Sequence, residues 1–294
     1  MVDTIDQALI TQFSDMVHHE AQQLQSKLRP YVNVKQMSGD VWAYDGLGKV
    51  EAREVTGRNV AATFDDITHN RRKLSRKRYV INLPIDASDV RGALLSPDSE
   101  YSKAVAAGVL RQYDRTIYNA AFADVLTGRD FETTVTAAAD GVLTVDATAG
   151  LTYEKLLEVR QNFWDNDVGL DSNEKIYLTI TGDEHTSLMG EEELISGDFN
   201  REFVVEKGRI AQALGMDLVG FAASVASPII PTVSSQRQLL AASSRGICLG
   251  VSKEMSIKIQ ERNDLIETTQ VQVVMEIGAV RTEGALLQKV TVTA

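Results

Sequence analysis

Residues 96–128 read SPDSEYSKAVAAGVLRQYDRTIYNAAFADVLTG, and this stretch predicts one long helix. Ser96 is a favourable N-cap, and Pro97 suits the first helical position. Apolar side chains recur at helical spacing along the stretch: Tyr101, Val105, Val109, Tyr113 and Ile117. Gly128 is the expected stop. At 1.5 Å per residue, a helix over Pro97–Thr127 spans about 45 Å. We therefore expect a spine with sheet packed against it.

The segment that opens the chain, Thr4–Leu28, has the pattern of an amphipathic helix. Ile5, Leu9, Phe13 and Val17 recur every four residues, and Gln, His and Glu fill the other face. Two interpretations stay open. The helix either packs on its own domain or forms an arm along an adjacent subunit.

The stretch between these helices, Val32–Leu83, is polar and rich in strand-forming residues. Val41–Tyr44 and Arg78–Leu83 predict strands, the second ended by Pro84. The stretch has few large apolar residues, and a long two-stranded ribbon is marginal in water unless something covers it. A chain that begins with parts unable to bury themselves indicates assembly with neighbouring copies.

The rest of the chain alternates helix and strand signals, which predicts an α+β fold. We expect helices over Thr152–Trp164, from the capping box Thr181–Glu184, and over Val204–Leu214. The predicted strands are Val142–Asp146, Lys175–Ile180, Met216–Phe221, Gly246–Val251 paired with Glu254–Gln260, Ile266–Ile277 and Ala285–Val292.

Composition excludes several functional classes. The 294 residues carry a formal charge of −11, which argues against a protein that coats nucleic acid. Cys248 is the single cysteine, so an intramolecular disulfide and a cysteine-based zinc site are excluded; we expect it to be a buried structural thiol. The opening residues lack the pattern of a signal peptide, and no apolar run approaches a membrane span. We expect a soluble protein made in the cytoplasm.

No sequence motif gives a strong indication of catalysis, phosphate binding or metal binding. Gly46–Val50 resembles part of a phosphate loop but lacks its first glycine and its hydroxyl residue. Gly250–Glu254 begins like a nucleophile elbow, yet Glu254 stands where glycine is required. The four histidines have no metal-ligand spacing, and the acidic residues fit a solvated face. We therefore predict no enzyme, no catalytic residue, no cofactor and no metal.

The basic run between Arg71 and Arg78 places six positive charges in eight residues. Three interpretations are open: pairing with carboxylates of a neighbouring subunit, a solvated face, and nucleic-acid binding. The first is favoured because the chain as a whole is acidic. The predicted inter-subunit contacts are Arg71, Arg72, Lys73, Arg76, Lys77, Arg78, Trp42, Tyr44, Phe13 and Val17.

The order of these elements resembles the major capsid (coat) protein of tailed bacteriophages, with the Hong Kong phage 97-like fold. Short stretches of the sequence are also similar to that family: Gly208–Val219, Gly246–Val251, Gln260–Asp264 and Ile277–Arg281. The resemblance implies the following layout: an N-terminal arm over 1–36, an extended β-hairpin loop over 37–84, a peripheral domain over 85–150 with the spine helix 97–127, a mainly axial domain over 151–245, and C-terminal strands over 246–294 that return to the peripheral domain.

The resemblance also implies a function. Copies of the chain would form hexamers and pentamers that close into an icosahedral head around double-stranded DNA, without sequence-specific DNA binding and without a membrane. The implied partners are a separate scaffolding protein, a portal protein and a decoration protein; the implied location is the virion, after assembly in the host bacterial cytoplasm. Two alternatives remain: an encapsulin-like compartment and a soluble α+β enzyme.

Overall fold

The computed structural model describes most of the chain, and all statements below concern these residues. They are 25–50, 52, 54, 57, 66–86, 97–170, 174–191, 205–206, 209–223, 228–262 and 268–293. Phe13 and Val17, with most of the predicted helix Thr4–Leu28, lie outside them. Within them the chain is rich in sheet and holds three α-helices. The helices are α1 (Pro97–Phe122), α2 (Tyr153–Asp165) and α3 (Gly182–Leu188).

Seventeen strands make up the sheets of the described residues. The first seven are β1 (Asn33–Gln36), β2 (Val41–Leu47), β3 (His69–Ser75), β4 (Lys77–Asp86), β5 (Val125–Thr127), β6 (Thr133–Val135) and β7 (Leu143–Ala147). The others are β8 (Ile176–Ile180), β9 (Val205–Glu206), β10 (Arg209–Ile210), β11 (Gln212–Ala213), β12 (Met216–Gly220), β13 (Thr232–Val233), β14 (Gln236–Ser243), β15 (Ile247–Arg262), β16 (Thr268–Arg281) and β17 (Leu287–Thr293). Short 3-10 turns cover Arg29–Tyr31 and Gly284–Leu286.

The chain divides into two compact units. The first comprises 1–26, 77–113 and 253–277. In it, β4 pairs antiparallel with β16 from Lys77 opposite Ile277 to Asp86 opposite Thr268. Pro84 does not end this strand as predicted, because β4 lies at the sheet edge, where a missing N–H costs no ladder bond. The α1 residues Val105 and Val109 are almost fully buried in their predicted stripe.

The second unit comprises 27–76, 114–252 and 278–294. Its largest sheet has the order β11-β12-β8-β14-β17-β7, and β13 pairs with β14. A smaller sheet has the order β2-β3-β5-β6. Strand β1 pairs in parallel with the start of β15, from Asn33 opposite Cys248 to Gln36 opposite Val251. On the buried face of α2, Leu156, Val159 and Phe163 have no exposed surface.

Other predicted boundaries are wrong as well. The spine helix ends at Phe122, because Val125–Thr127 form strand β5 instead of its last turn. Gln25–Leu28 are not helical. The predicted pair at 246–260 is one continuous strand, β15. The described residues of the predicted helix Val204–Leu214 lie mostly in short strands. Leu214 and Gly215, at φ of 51° and 73°, make a tight hairpin turn between β11 and β12.

Candidate functional site

The most distinctive region of the second unit is the antiparallel pair β2–β3. Its register runs from Val41 opposite Ser75 to Leu47 opposite His69. The base of this hairpin rests on a hydrophobic cluster, here called the base cluster. Its members are Met37, Leu74, Val125, Cys248 and Val280, each at most 4% exposed.

Two predicted contact residues, Trp42 and Tyr44, pack against the base cluster. Their rings meet edge to face, with centroids 6.1 Å apart. Both side chains remain half-buried in the single chain. The prediction that a neighbouring subunit contacts them stays a prediction.

The alternation of side chains along β3 places its basic residues on two opposite faces. Arg72 and Leu74 point inward and are almost fully buried, whereas Arg71 keeps 45% of its side chain exposed. Arg71 Nε donates to Asp45 Oδ1 over 2.7 Å, across the hairpin. Hydrogen bonding from Arg71 lowers the pKa of Asp45.

Arg72 belongs to a buried ion cluster, here called the Asp140 cluster. Arg72 donates to both Asp140 carboxylate oxygens, over 2.6 and 2.7 Å, and Arg281 Nε donates to Asp140 Oδ2 over 2.6 Å. Arg72 is 2% exposed and Arg281 has no exposed surface. The Arg72 guanidinium is therefore enclosed within its own chain, and contact between Arg72 and a neighbouring subunit stays a prediction.

The same cluster reaches the end of α1. Arg281 Nη1 donates to the carbonyl oxygens of Ala121 and Ala123, over 2.8 and 2.9 Å. Cations favour the carbonyl end of a helix, where the last backbone acceptors lack intrahelical donors. The Asp140 cluster thus ties hairpin strand β3 to the end of α1 and to β16.

The remaining basic residues of the run lie near the surface. Arg76 Nε donates to Asp40 Oδ1 over 2.7 Å. Arg78 Nε lies 3.8 Å from Glu276 Oε1. Lys73 Nζ lies 6.0 Å from the centre of the Phe131 ring, and Lys77 is exposed. Neighbour contacts for these residues stay a prediction.

A second enclosed acid, Glu174, joins the loop before β8 to the end of β14. It accepts hydrogen bonds from Arg245 Nε and Nη2, each over 3.0 Å, and from the Gly169 N–H over 2.9 Å. Its side chain is 4% exposed. Burial alone would raise the pKa of Glu174, but the hydrogen bonds from Arg245, Ser243 and Gly169 outweigh burial and lower it.

The stability of the chain should fall in acid. Burial would raise the pKa of Asp140, yet the hydrogen bonds and charges of Arg72 and Arg281 hold it below its ordinary value. For depressed carboxyl groups, the stabilisation is complete above the unfolded pKa and is lost as the pH falls through the folded one. We expect urea midpoints that are flat from pH 7 to about 5 and then decline. Glu174→Gln should show a shallower decline; an identical acid profile would contradict the assignment of Glu174.

The N-terminal part of the second unit is anchored on α1. The backbone N–H groups of Lys27 and Leu28 donate to the two carboxylate oxygens of Asp114, each over 2.9 Å. Asp114 and Leu28 have no exposed surface. The start of the second unit, Lys27 and Leu28, is therefore held in place by a buried carboxylate.

In the part of the chain that the structure describes, no three histidine, cysteine or acidic side chains converge as a metal site. The elbow-like stretch Gly250–Glu254 lies inside strand β15. No described helix is both long and apolar enough to cross a membrane.

The sequence model of a family described as phage capsid protein matches residues 5–293. No curated protein matches the chain. The capsid structure of the cyanophage P-SCSP1u is 13% identical, covers 98% of this chain and 94% of that chain, and gives a TM-score of 0.71. The capsid of cyanophage Pam1 is 11% identical, with coverages of 97% and 96% and a TM-score of 0.70. The mature capsid of bacteriophage PhiM1 is 11% identical, with coverages of 96% and 92% and a TM-score of 0.67.

Proposed function

The chain belongs to the phage capsid protein family, and from this membership we propose that its copies assemble as hexamers and pentamers into an icosahedral head around double-stranded DNA. It is a structural protein of the virion capsid, with a sheet-rich fold that matches phage capsid folds. The observation that carries the proposal is the family match from residue 5 to residue 293.

The finer layout that we propose is the Hong Kong phage 97-like one. Its extended loop corresponds to the hairpin β2–β3, and its spine corresponds to α1. The antiparallel pairing of β2 with β3 and the 26-residue length of α1 support this assignment. A loop that rests on a buried base and carries exposed charge is suited to lie over a neighbouring copy.

Charge supports the enclosure of DNA without tight binding. A net charge of −11 disfavours contact with phosphates over most of the surface. The proposed partners are other copies of the chain, a scaffolding protein, a portal protein and a decoration protein. Assembly would take place in the host cytoplasm.

Electron microscopy of the purified chain, expressed alone and together with a scaffolding protein, tests the proposal. Closed shells or hexameric rings in either sample would support it. A uniform monomer or dimer in both samples would overturn it. Shells that hold protein cargo and no nucleic acid would favour a compartment instead of a phage head.

Reversing the exposed charges of the basic run should block shells without unfolding the chain. The variant is Arg71→Glu, Lys77→Glu and Arg78→Glu, and Arg72 is kept because it is buried. We expect unchanged circular dichroism and a loss of closed shells, because like charges would face a neighbouring acidic surface.

A matched control carries the same charge change at exposed positions elsewhere: Arg129→Glu, Lys253→Glu and Lys258→Glu. The control should still give shells. Normal shells from the variant with the reversed basic run would show that these three side chains make no essential contact between subunits.

A further inference from the structure

The second unit contains a cleft at the carboxyl ends of the parallel strands β8 and β12. Its volume is about 350 Å³, and its walls include Ile180, Ile210 and Phe221. Helix α3 contributes His185 to the lining, and strand β10 contributes Arg209. The cleft is therefore bounded in part by a helix and a short strand whose mutual contact sets its width.

A hydrogen bond to a histidine side chain joins α3 to β10 beside this cleft. The backbone N–H of Ile210 donates to His185 Nε2 over 3.2 Å. Ile210 lies opposite Val205 in the antiparallel pair β9–β10, and alternate residues of such a pair direct their N–H groups to opposite sides. The Ile210 N–H points away from β9, so His185 supplies its acceptor. We call this contact the His185 latch.

The latch requires an uncharged imidazole. A ring nitrogen accepts a hydrogen bond only when it carries no proton, so the single ring proton must be on Nδ1. A second proton would place an N–H group against the Ile210 N–H, and the hydrogen bond would be lost. Ile210 is 1% exposed, so water cannot easily replace the lost acceptor while β10 stays in place. Protonation of His185 therefore favours separation of β10 from α3.

Two cations beside the cleft add to this effect. Arg209 precedes Ile210 in β10 and lines the same cleft as His185. Lys27 Nζ donates to the Gly220 carbonyl oxygen over 2.5 Å, at the edge of the cleft. Burial lowers the pKa of Lys27; Asp114 opposes this effect, and the positive charge of Arg209 adds to it. Positive charges near the cleft disfavour a further one on an imidazole held inside it.

Acidic residues also lie on the elements around the latch. They are Asp183 and Glu184 of α3, which pair with Arg237 of β14, Asp217 of β12, which accepts from Gln212, and Glu206 of β9, which lies opposite Arg209. Among the side chains that the structure describes, no carboxylate accepts a hydrogen bond from His185. The contact that responds directly to protonation of His185 is therefore the one with Ile210.

We propose that the His185 latch is a pH-sensitive switch, which holds β10 against α3 near neutral pH and releases β10 when His185 is protonated. The closed form binds one proton fewer than the open form. Its population is therefore highest well above about pH 6.5, where an ordinary histidine is neutral, and it falls as the pH drops through that range. Release widens the cleft between α3 and β10. The switch lies within one chain, so it goes beyond the proposed function and does not depend on assembly.

Hydrogen exchange of single backbone amides measures the opening of the latch directly. The protection of the Ile210 amide is measured in the unassembled full-length chain at about pH 7.5 and about pH 5.5, and is corrected for the intrinsic pH dependence of exchange. We expect protection to fall by about threefold at the lower pH, a modest change because His185 is only half-buried. The Leu240 amide is the internal reference, since it donates over 2.8 Å to the Thr179 hydroxyl, which does not titrate. Its protection should stay constant.

Two variants assign the response to one histidine. In His185→Gln, the side-chain amide oxygen can accept from Ile210 at both pH values, because it binds no proton in this range. The protection of Ile210 relative to Leu240 should then be the same at both pH values. His69→Gln removes an exposed histidine from β3 and should keep the full response of the wild-type chain.

Either of two results would overturn the proposal. One is a wild-type chain in which the protection of Ile210, relative to Leu240, is equal at the two pH values. The other is a His185→Gln chain that keeps the full pH response. The first comparison needs no variant, so it decides the matter even if His185→Gln does not accumulate in folded form. Neither result depends on whether shells form, so failure of the switch and failure of the capsid function are separate outcomes.

Discussion

Replacing Asp140 by asparagine should cost about 3–5 kcal/mol of unfolding free energy, because it leaves two buried guanidinium groups without their carboxylate. Arg72 and Arg281 are both at most 2% exposed, so water cannot replace the lost partner. Urea unfolding followed by the fluorescence of the two tryptophans would measure the change. We expect a large drop in the midpoint or a chain that does not accumulate in folded form.

Asp45→Asn is the matched control. Asp45 also pairs with an arginine of β3 over 2.7 Å, but its side chain is 53% exposed. We expect no measurable change in the urea midpoint, because solvent screens exposed pairs. A triple variant, Arg72→Met, Asp140→Leu and Arg281→Met, should recover part of the stability lost in Asp140→Asn. Equal effects of Asp140→Asn and Asp45→Asn would contradict the role of burial.

The second large loss of stability should come from substituting glycines whose Cα lies close to the backbone of another segment. A Cβ on Gly284 would lie 2.0 Å from the Asp140 carbonyl oxygen, and one on Gly278 would lie 2.2 Å from the Ser75 carbonyl oxygen. Backbone atoms cannot rotate away as a flexible side chain can. We expect either glycine-to-alanine change to lower the unfolding free energy by about 1–3 kcal/mol or more.

Gly182→Ala provides the comparison, because no atom lies within 4 Å of the added methyl group. It should leave the melting temperature unchanged or slightly raised, since alanine restricts the unfolded chain. The Gly278→Ala effect should also be visible at the hairpin, because Ser75 ends β3. A Gly278→Ala chain as stable as Gly182→Ala would mean that β3 does not lie against β16 at this point.

The spine helix was predictable because its signals agree. Pro97 begins it, and Val105, Val109, Tyr113 and Ile117 are buried at the predicted spacing. Its end was not predictable from periodicity. Val125 continues the apolar pattern, yet it pairs with Val135 in a sheet. Pairing with β6 makes Val125 part of a strand, although its local apolar pattern fits a helix equally well.

Strand β3 shows which features of the basic run could not be predicted from the sequence. A strand dominated by charged and polar residues lacks the usual apolar alternation, so β3 was not predicted. Side chains alternate between the two faces of a strand, so Arg72 is expected on the same face as Leu74. The partners of Arg72 cannot be predicted in this way. Asp140 and Arg281 lie 68 and 209 residues away in sequence, and no local signal links them.

The cleft at the carboxyl ends of β8 and β12 was not predictable from the sequence for a similar reason. Its lining residues Ile180, Arg209 and Phe221 come from three separate parts of the chain, and the stretch around Arg209 was predicted as helix. Lys27 and Arg209 lie near each other only in the folded chain.

The base cluster has a consequence for the timing of protein synthesis. Its five members extend from Met37 to Val280, so the support for the hairpin is complete only when translation is nearly finished. At about 5–20 residues per second, Val280 follows Met37 by roughly 10–50 s. A nascent or prematurely terminated chain would lack both Val280 and strand β17. Such fragments would have an unsupported hairpin, which distinguishes them structurally from fully translated copies.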